Sequence, residues 1–211
     1  ADVGPLRRLL SDVPQLQIGN PRPVYLDLEV DSRKRFDDMR NGKARILAWA
    51  LFELHEGATR KAASGVLEAD SDEAEKNLIR DLFEALAAFD LVLSWNGDEF
   101  DFPVLEMRTS KLRVKLTNGR LPIWQRWCWL DHMEAFKKYN QAHDSGEERS
   151  SFALNAIAQH IVGRGKTEFD ASKTWDEWEA GGERRAKLLE YCEHDTALMA
   201  DALHGDQSVV G

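Results

Sequence analysis

Apolar and polar positions along the chain follow two rhythms, and the points where one gives way to the other outline a fold. An alternation of two marks strands, and a repeat of about 3.6 marks helices. The stretch Val24-Tyr25-Leu26-Asp27-Leu28-Glu29-Val30 is apolar, rich in β-branched and aromatic residues, and announced by Pro21 and Pro23. It reads as a buried strand. Residues 45–53 read as a second strand and 61–68 as a third, with His55-Glu56-Gly57 as the turn between them. The charge-dense segment 31–43, with Asn41-Gly42, reads as a loop or short helix. The opening is therefore an antiparallel, hairpin-rich set.

Near Ser71 the spacing becomes helical. Ser71 stands where an N-cap belongs, acids follow in the first turn, and Leu78, Leu82, Phe83, Leu86 and Phe89 fall on one face. Residues 91–94 form a short apolar strand after Asp90. Strand, helix and strand at this length predict a parallel crossover joined to the antiparallel part. Asn96-Gly97 signals a turn, and Pro103 suits the first turn of a following helix. Trp127 and Trp129 alternate within a strand expected at 123–130, and Asp131 opens a helix through Met133, Phe136 and Tyr139. A polar loop at 143–149, an amphipathic helix at 151–162, a flexible basic turn at 163–166, and a loop carrying Trp175 and Trp178 come next. Gly181-Gly182 then leads into a last helix at about 183–203. The fold class is α/β: a mixed central sheet flanked by helices.

Composition narrows the function. At 211 residues, 43% hydrophobic and 31% charged, the chain suits one globular core, with residues 1–21 as an N-terminal arm and 205–211 as a tail. No apolar run approaches membrane-spanning length, and no secretory pattern opens the chain. Cys128 and Cys192 are far apart with no partner at metal-ligand spacing, which suits reduced thiols, one on a strand and one on a helix, in a cytoplasmic protein, with a single disulfide between them as the other reading. A net charge of −9 argues against holding nucleic acid by bulk electrostatics. It leaves open an enzyme that grips a few phosphates through metal ions. The acid-free segment 108–126, with Arg108, Lys111, Arg113, Lys115, Arg120 and Arg126 leading to tryptophans, suits either single-strand binding or core packing.

Candidate chemistry begins on the first strand. Asp27 and Glu29 are two residues apart and share a strand face. Two carboxylates in an apolar setting repel and lose hydration, and a cation relieves both, unless the strand end simply reaches solvent. Asp98, Glu99 and Asp101 follow a buried strand at its C-terminal end, where open α/β sheets place sites; a helix-cap cluster reads equally well. On the last helix Tyr191 and Asp195 are four apart and share a face, which Leu188, Leu198 and Met199 turn inward. Asp195 then needs a partner, either a shared metal or an arginine such as Arg184 or Arg185.

Asp27-x-Glu29, then Asn96-Gly97-x-x-Phe100-Asp101-x-Pro103, then Tyr191-x-x-x-Asp195 occur in order. Together they resemble the three motifs of the DEDD superfamily of 3′–5′ exonucleases, with its ribonuclease-H-like fold. The tyrosine is similar to that branch of the superfamily; the histidine branch would carry His at position 190, where Glu190 stands. The second motif is similar to the proofreading domain of family-B DNA polymerases and its stand-alone relatives. Leu154-Asn155-Ala156-Ile157-Ala158 and Gly165-Lys166-Thr167 resemble the stretch those relatives carry before the third motif.

The resemblance covers most of residues 22–204, and it implies a two-metal 3′–5′ exonuclease. Asp27, Glu29 and Asp195 would hold one Mg²⁺ or Mn²⁺, Asp27 would bridge to a second, and Asp101 would hold that second ion. Tyr191 would orient the attacking water. Asn96 and Phe102 would contact terminal nucleotides and Lys166 a phosphate. The partners would be single-stranded DNA or RNA 3′ ends, DNA favoured, with nucleoside 5′-monophosphates as products. Another reading is a non-catalytic nucleic-acid-binding or scaffold domain that retains the fold. An internally cutting ribonuclease-H-like enzyme fits less well, because its second acid normally sits on a helix.

Overall fold

The computed structural model describes residues 21–115, 127–143, 152–167 and 169–204. Residues 1–20 of the expected N-terminal arm, the C-terminal tail, most of the polar loop at 143–149, and Arg120, Trp124 and Arg126 lie outside the described residues.

Five strands form one sheet: β1 (Pro23–Val30), β2 (Ile46–His55), β3 (Ala58–Val66), β4 (Leu91–Ser94) and β5 (Cys128–Asp131), in the order β3-β2-β1-β4-β5. β2 is antiparallel to both β1 and β3, whereas β4 runs parallel to β1 and β5 to β4. The β2–β3 turn puts Glu56 at φ 51° and Gly57 at φ 79°, the left-handed pair that a two-residue hairpin turn requires. The helices are α1 (Phe36–Arg40), α2 (Asp72–Leu86), α3 (Asp101–Lys111), α4 (His132–His143), α5 (Leu154–Val162), α6 (Thr174–Ala180) and α7 (Gly182–His204). Ser71 caps α2, its side chain accepting from the Ala74 N–H at 3.1 Å. α2 carries the crossover from β3 to β4, as the strand–helix–strand pattern predicts.

The two faces of β1 do different work. Val24, Leu26, Leu28 and Val30 enter the main core with Leu78, Ile79, Leu82 and Leu86 of α2 and with Val104 and Leu105 of α3. Tyr25 packs on the other face with Leu93, Leu154 and Met199. Asp27 and Glu29 share that face, and their cross-strand partners on β2 are Ala50 and Ala48. Both alanines pack with Cys192 of α7. Small residues beside the acids let α7 approach the sheet closely.

Two expectations are revised. Trp175 and Trp178 lie not in a loop but on α6, entered through a single 3₁₀ turn at Ala171–Lys173. Tertiary bonds form this seven-residue helix: the Thr174 hydroxyl donates to the Val30 carbonyl at 2.7 Å, and Trp178 Nε1 donates to the Leu67 carbonyl at 2.6 Å. Within the expected strand at 123–130, the described part begins at Trp127 and the strand at Cys128, and Asp131 ends that strand instead of opening the helix. Its carboxylate caps α4 by accepting the Met133 and Glu134 N–H groups at 2.9 and 3.3 Å. Of the basic segment, open to two readings, Arg108, Lys111 and the following Trp127 are structural, while Arg113 and Lys115 are exposed. Arg108 is 3% exposed and pairs with the fully buried Glu75, Lys111 donates to the Gly42 carbonyl at 3.2 Å, and Trp127 Nε1 donates to the Leu86 carbonyl at 2.9 Å. Both cysteines are free, Cys128 exposed on β5 and Cys192 buried on α7. Among the described residues no helix is long and apolar enough to cross a membrane.

Candidate active site

α7 crosses the face of β1 that carries the two acids, and Asp195 meets them there. Asp27, Glu29 and Asp195 each offer a carboxylate oxygen within 4.8 Å of the others. Asp195 is 1% exposed, and its Oδ1 is buried with no hydrogen-bond partner among the described residues. Its Oδ2 accepts from Lys166 Nζ at 2.5 Å, so the partner of Asp195 is this lysine rather than Arg184 or Arg185. Those two are engaged elsewhere: Arg184 pairs with Glu177, and Arg185 donates to the Trp178 and Glu68 carbonyls. Lys166 is held in turn by Asn155, whose Oδ1 accepts the Lys166 backbone N–H at 2.7 Å.

Asp101 enters from the opposite wall. β4 pairs with β1 only from Pro23 to Tyr25, so the Leu28 N–H has no strand neighbour on that side. It donates instead to Asp101 Oδ1 at 3.2 Å, while the Ser94 hydroxyl donates to Oδ2 at 2.9 Å. The turn between β4 and α3 makes this reach possible. Asn96 sits at φ 65°, and its N–H is clamped by Asp131 Oδ1 at 3.0 Å. At Gly97 any Cβ would stand 2.3 Å from Ser94 Oγ, so only glycine fits beside the serine that holds Asp101.

Charge is poorly compensated here. Burial, then Asp101, Glu29 and Asp195, pushes the Asp27 carboxyl well above the usual carboxylate range. Burial, then Asp195, pushes Glu29 up to about 8, the nearby Lys166 offsetting part of the rise. Burial raises Asp101 to about 7 despite its bonds to Ser94 and Leu28. Tyr191 lies one turn before Asp195, stacked on Phe169 at 4.2 Å, with Lys166 Nζ 5.8 Å over its ring. Burial and then the Asp195 and Glu29 charges raise its phenol, so it is a neutral hydroxyl at working pH. His194 Nδ1 is 3.9 Å from Asp195 Oδ1, beyond hydrogen-bond reach, on a side chain 36% exposed.

Asp27, Glu29, Asp101 and Asp195 line a cavity of about 350 Å³, with Asn96 and Lys166 on its wall. Phe102 is not on it. Phe102 is 8% exposed and packs edge-on to Trp129 at 4.8 Å, so its ring serves the core. The aromatic residues on the cavity are Phe36, Trp95 and Phe100; Phe36 and Phe100 stack at 5.6 Å and 17°, with Phe36 half exposed. Sequence reasoning missed Phe36; an aromatic residue in a stretch of charges was the signal.

The site fits divalent cations. It offers hard oxygen donors from three carboxylates, an orphaned buried carboxylate oxygen, and raised carboxyl affinities that a cation would reverse. A mixed five-stranded sheet with this acid cluster at its centre defines an α/β protein of ribonuclease-H-like fold. Residues 39–198 match the model of a family described as predicted 3′–5′ exonuclease related to the exonuclease domain of PolB, and the chain belongs to that family. The match takes in Asp101, Tyr191 and Asp195 and begins after Asp27 and Glu29.

The chain is 25% identical over 197 residues to DNA polymerase 1 of Aeropyrum pernix, covering 90% of this chain and 19% of that protein. It is 24% identical over 177 residues to DNA polymerase 1 of Sulfolobus acidocaldarius, covering 74% and 20%. It thus spans about a fifth of the length of the polymerases it matches. Among solved structures, the family B DNA polymerase of Pyrobaculum calidifontis shares the fold, with a TM-score of 0.57 and 17% identity over 88% of this chain and 24% of that one.

Proposed function

We propose that the chain is a metal-dependent 3′–5′ exonuclease that releases nucleoside 5′-monophosphates from single-stranded 3′ ends, DNA favoured over RNA, with residues 22–204 as its catalytic domain. The observation that carries this is the trio of carboxylate oxygens within 4.8 Å, with Asp195 buried and its Oδ1 without a hydrogen-bond partner among the described residues. DNA is favoured because the relatives named above are DNA polymerases. Asp27, Glu29 and Asp195 would hold one ion, and Asp27 with Asp101 a second. When bound, Mg²⁺ or Mn²⁺ supplies a Lewis acid for the phosphate and lowers the acidity barrier of water.

The chain's own groups do the rest. Tyr191, a neutral phenol beside Asp195, orients the attacking water. Lys166 exchanges Asp195 for a substrate phosphate. Asn96 contacts the terminal nucleotide from the cavity wall, and the Phe36–Phe100 pair offers a π face to bases, a recognition that reads little sequence.

The test is a timed digestion of 5′-labelled single-stranded DNA and RNA with Mg²⁺, Mn²⁺ or chelator, with Asp27→Ala beside the wild type. The expected result is a metal-dependent ladder shortening by single nucleotides from the 3′ end, absent in Asp27→Ala. Internal cutting, or full activity in the variant, would overturn the assignment.

A further inference from the structure

The described part of this acidic chain pairs most of its cations, and two that it leaves unpaired stand beside the cavity. Arg33 pairs with Asp31, Arg40 with Glu99, Lys43 with Asp38, Lys166 with Asp195 and Lys173 with Asp170. Lys34 and Arg35 form no ion pair among the described residues, and both are exposed. The acid that feels their charge, Asp38, already holds Lys43 Nζ at 2.6 Å.

Their location is specific. They belong to the turn between β1, which carries Asp27 and Glu29, and α1. The residues on either side of the turn's basic run, Ser32 and Phe36, both line the catalytic cavity. The third cation, Arg33, is fixed: Nε and Nη2 donate to Asp31 at 2.9 and 2.8 Å, and its guanidinium lies 3.2 Å over the Trp175 ring. It is still half exposed.

A site of crowded carboxylates repels a polyanion, and a chain of net charge −9 adds to that repulsion. Free cations at the mouth offset it where the substrate strand must pass. We propose that Lys34 and Arg35, beside the anchored Arg33, form a phosphate clamp that holds the backbone of a single strand just outside the cavity. This rests on the exonuclease reading for its substrate, and it adds a contact that lies apart from the reacting bond. The clamp reads phosphate and not sequence, so it acts on affinity and on its salt dependence.

The test measures binding and cleavage separately. Binding of a fluorescent dodecathymidylate with phosphorothioate 3′ linkages is followed by anisotropy in Ca²⁺ over a range of salt. Each phosphate neutralised on a single strand contributes about 0.7 to the slope of log affinity against log salt. Lys34→Ala/Arg35→Ala is expected to weaken binding about tenfold at low salt and to flatten that slope by about 1.4. The charge-keeping Lys34→Arg/Arg35→Lys variant should keep the wild-type slope, an outcome that a merely structural role would not give. Hydrolysis of a thymidine dinucleotide by the wild type in Mg²⁺ or Mn²⁺ tests the exonuclease reading independently.

If the wild type cleaves and the alanine variant keeps both affinity and slope, the clamp is overturned and the exonuclease reading stands. If the wild type cleaves nothing while the slope falls as expected, the clamp stands and the exonuclease reading is overturned.

Discussion

Glu75 and Asp195 are both carboxylates with almost no exposure, hung from helices that pack against opposite faces of β1. Glu75 is saturated. Its Oε1 accepts from the Ile46 N–H at 3.0 Å and from Arg108 Nε at 2.7 Å, and its Oε2 accepts from Arg108 Nη2 and, at 2.9 Å, from Arg45 Nη1. Arg45 spreads the charge further, to Asp70 and Asp72. Asp195 has one lysine for three neighbouring carboxylates, and one of its oxygens is bare among the described residues. The first arrangement is complete without any visitor and ties α2 and α3 to β2. The second is complete only when something positive arrives. A buried acid with every lone pair answered is architecture, and one left short is a candidate site.

Neutralising each acid in turn breaks the comparison most sharply. Asp195→Asn should lower the cleavage rate by about a thousandfold or more, because a ligand worth several kcal/mol is lost. Thermal stability without metal should rise, since a repelling charge is gone. Glu75→Gln should do the reverse: stability falls by about 3–5 kcal/mol as Arg108 is left buried and unpaired, and the folded fraction keeps its rate. Denaturation midpoints and rates per folded molecule, measured side by side, decide it. A stability loss in Asp195→Asn as large as that in Glu75→Gln would erase the distinction.

The pH dependence sharpens it next. With Glu29 raised to about 8 and Asp101 to about 7, the metal-free folded protein binds protons more tightly than the unfolded chain. The stability from those protons is complete below about pH 4 and is lost as pH rises through 7 and 8. Melting in chelator should therefore fall by several degrees between pH 5 and 9. Mg²⁺ or Mn²⁺ should restore more at pH 9 than at pH 5. A flat profile that divalent ions do not move would count against an under-compensated site.

Tyr191→Phe carries the smallest expected effect. The ring stays stacked on Phe169, so folding holds. Losing the hydroxyl should slow cleavage by about ten- to a hundredfold without abolishing it, as a misplaced water would. An unchanged kcat would remove the water-orienting role.

Some of this was legible along the chain. Period-two alternation put Asp27 and Glu29 on one strand face, and four-residue spacing put Tyr191 with Asp195, because those relations depend on backbone geometry alone. Strand and helix types, the β2–β3 turn and the Ser71 cap follow from the same local physics. What lies beyond it depends on neighbours distant in sequence. Arg108 was indistinguishable from a phosphate-binding arginine until Glu75 was seen beneath it. Phe100 and Phe102 are two residues apart in one motif, yet one faces the cavity and the other Trp129, because α3 begins between them. The α6 helix exists because Thr174 and Trp178 find the Val30 and Leu67 carbonyls. The sequence by itself determined which residues carry the acids and the periods that present them. Tertiary structure decided which charges are answered and which are left bare, since hydration is lost and partners are met only when the chain packs against itself.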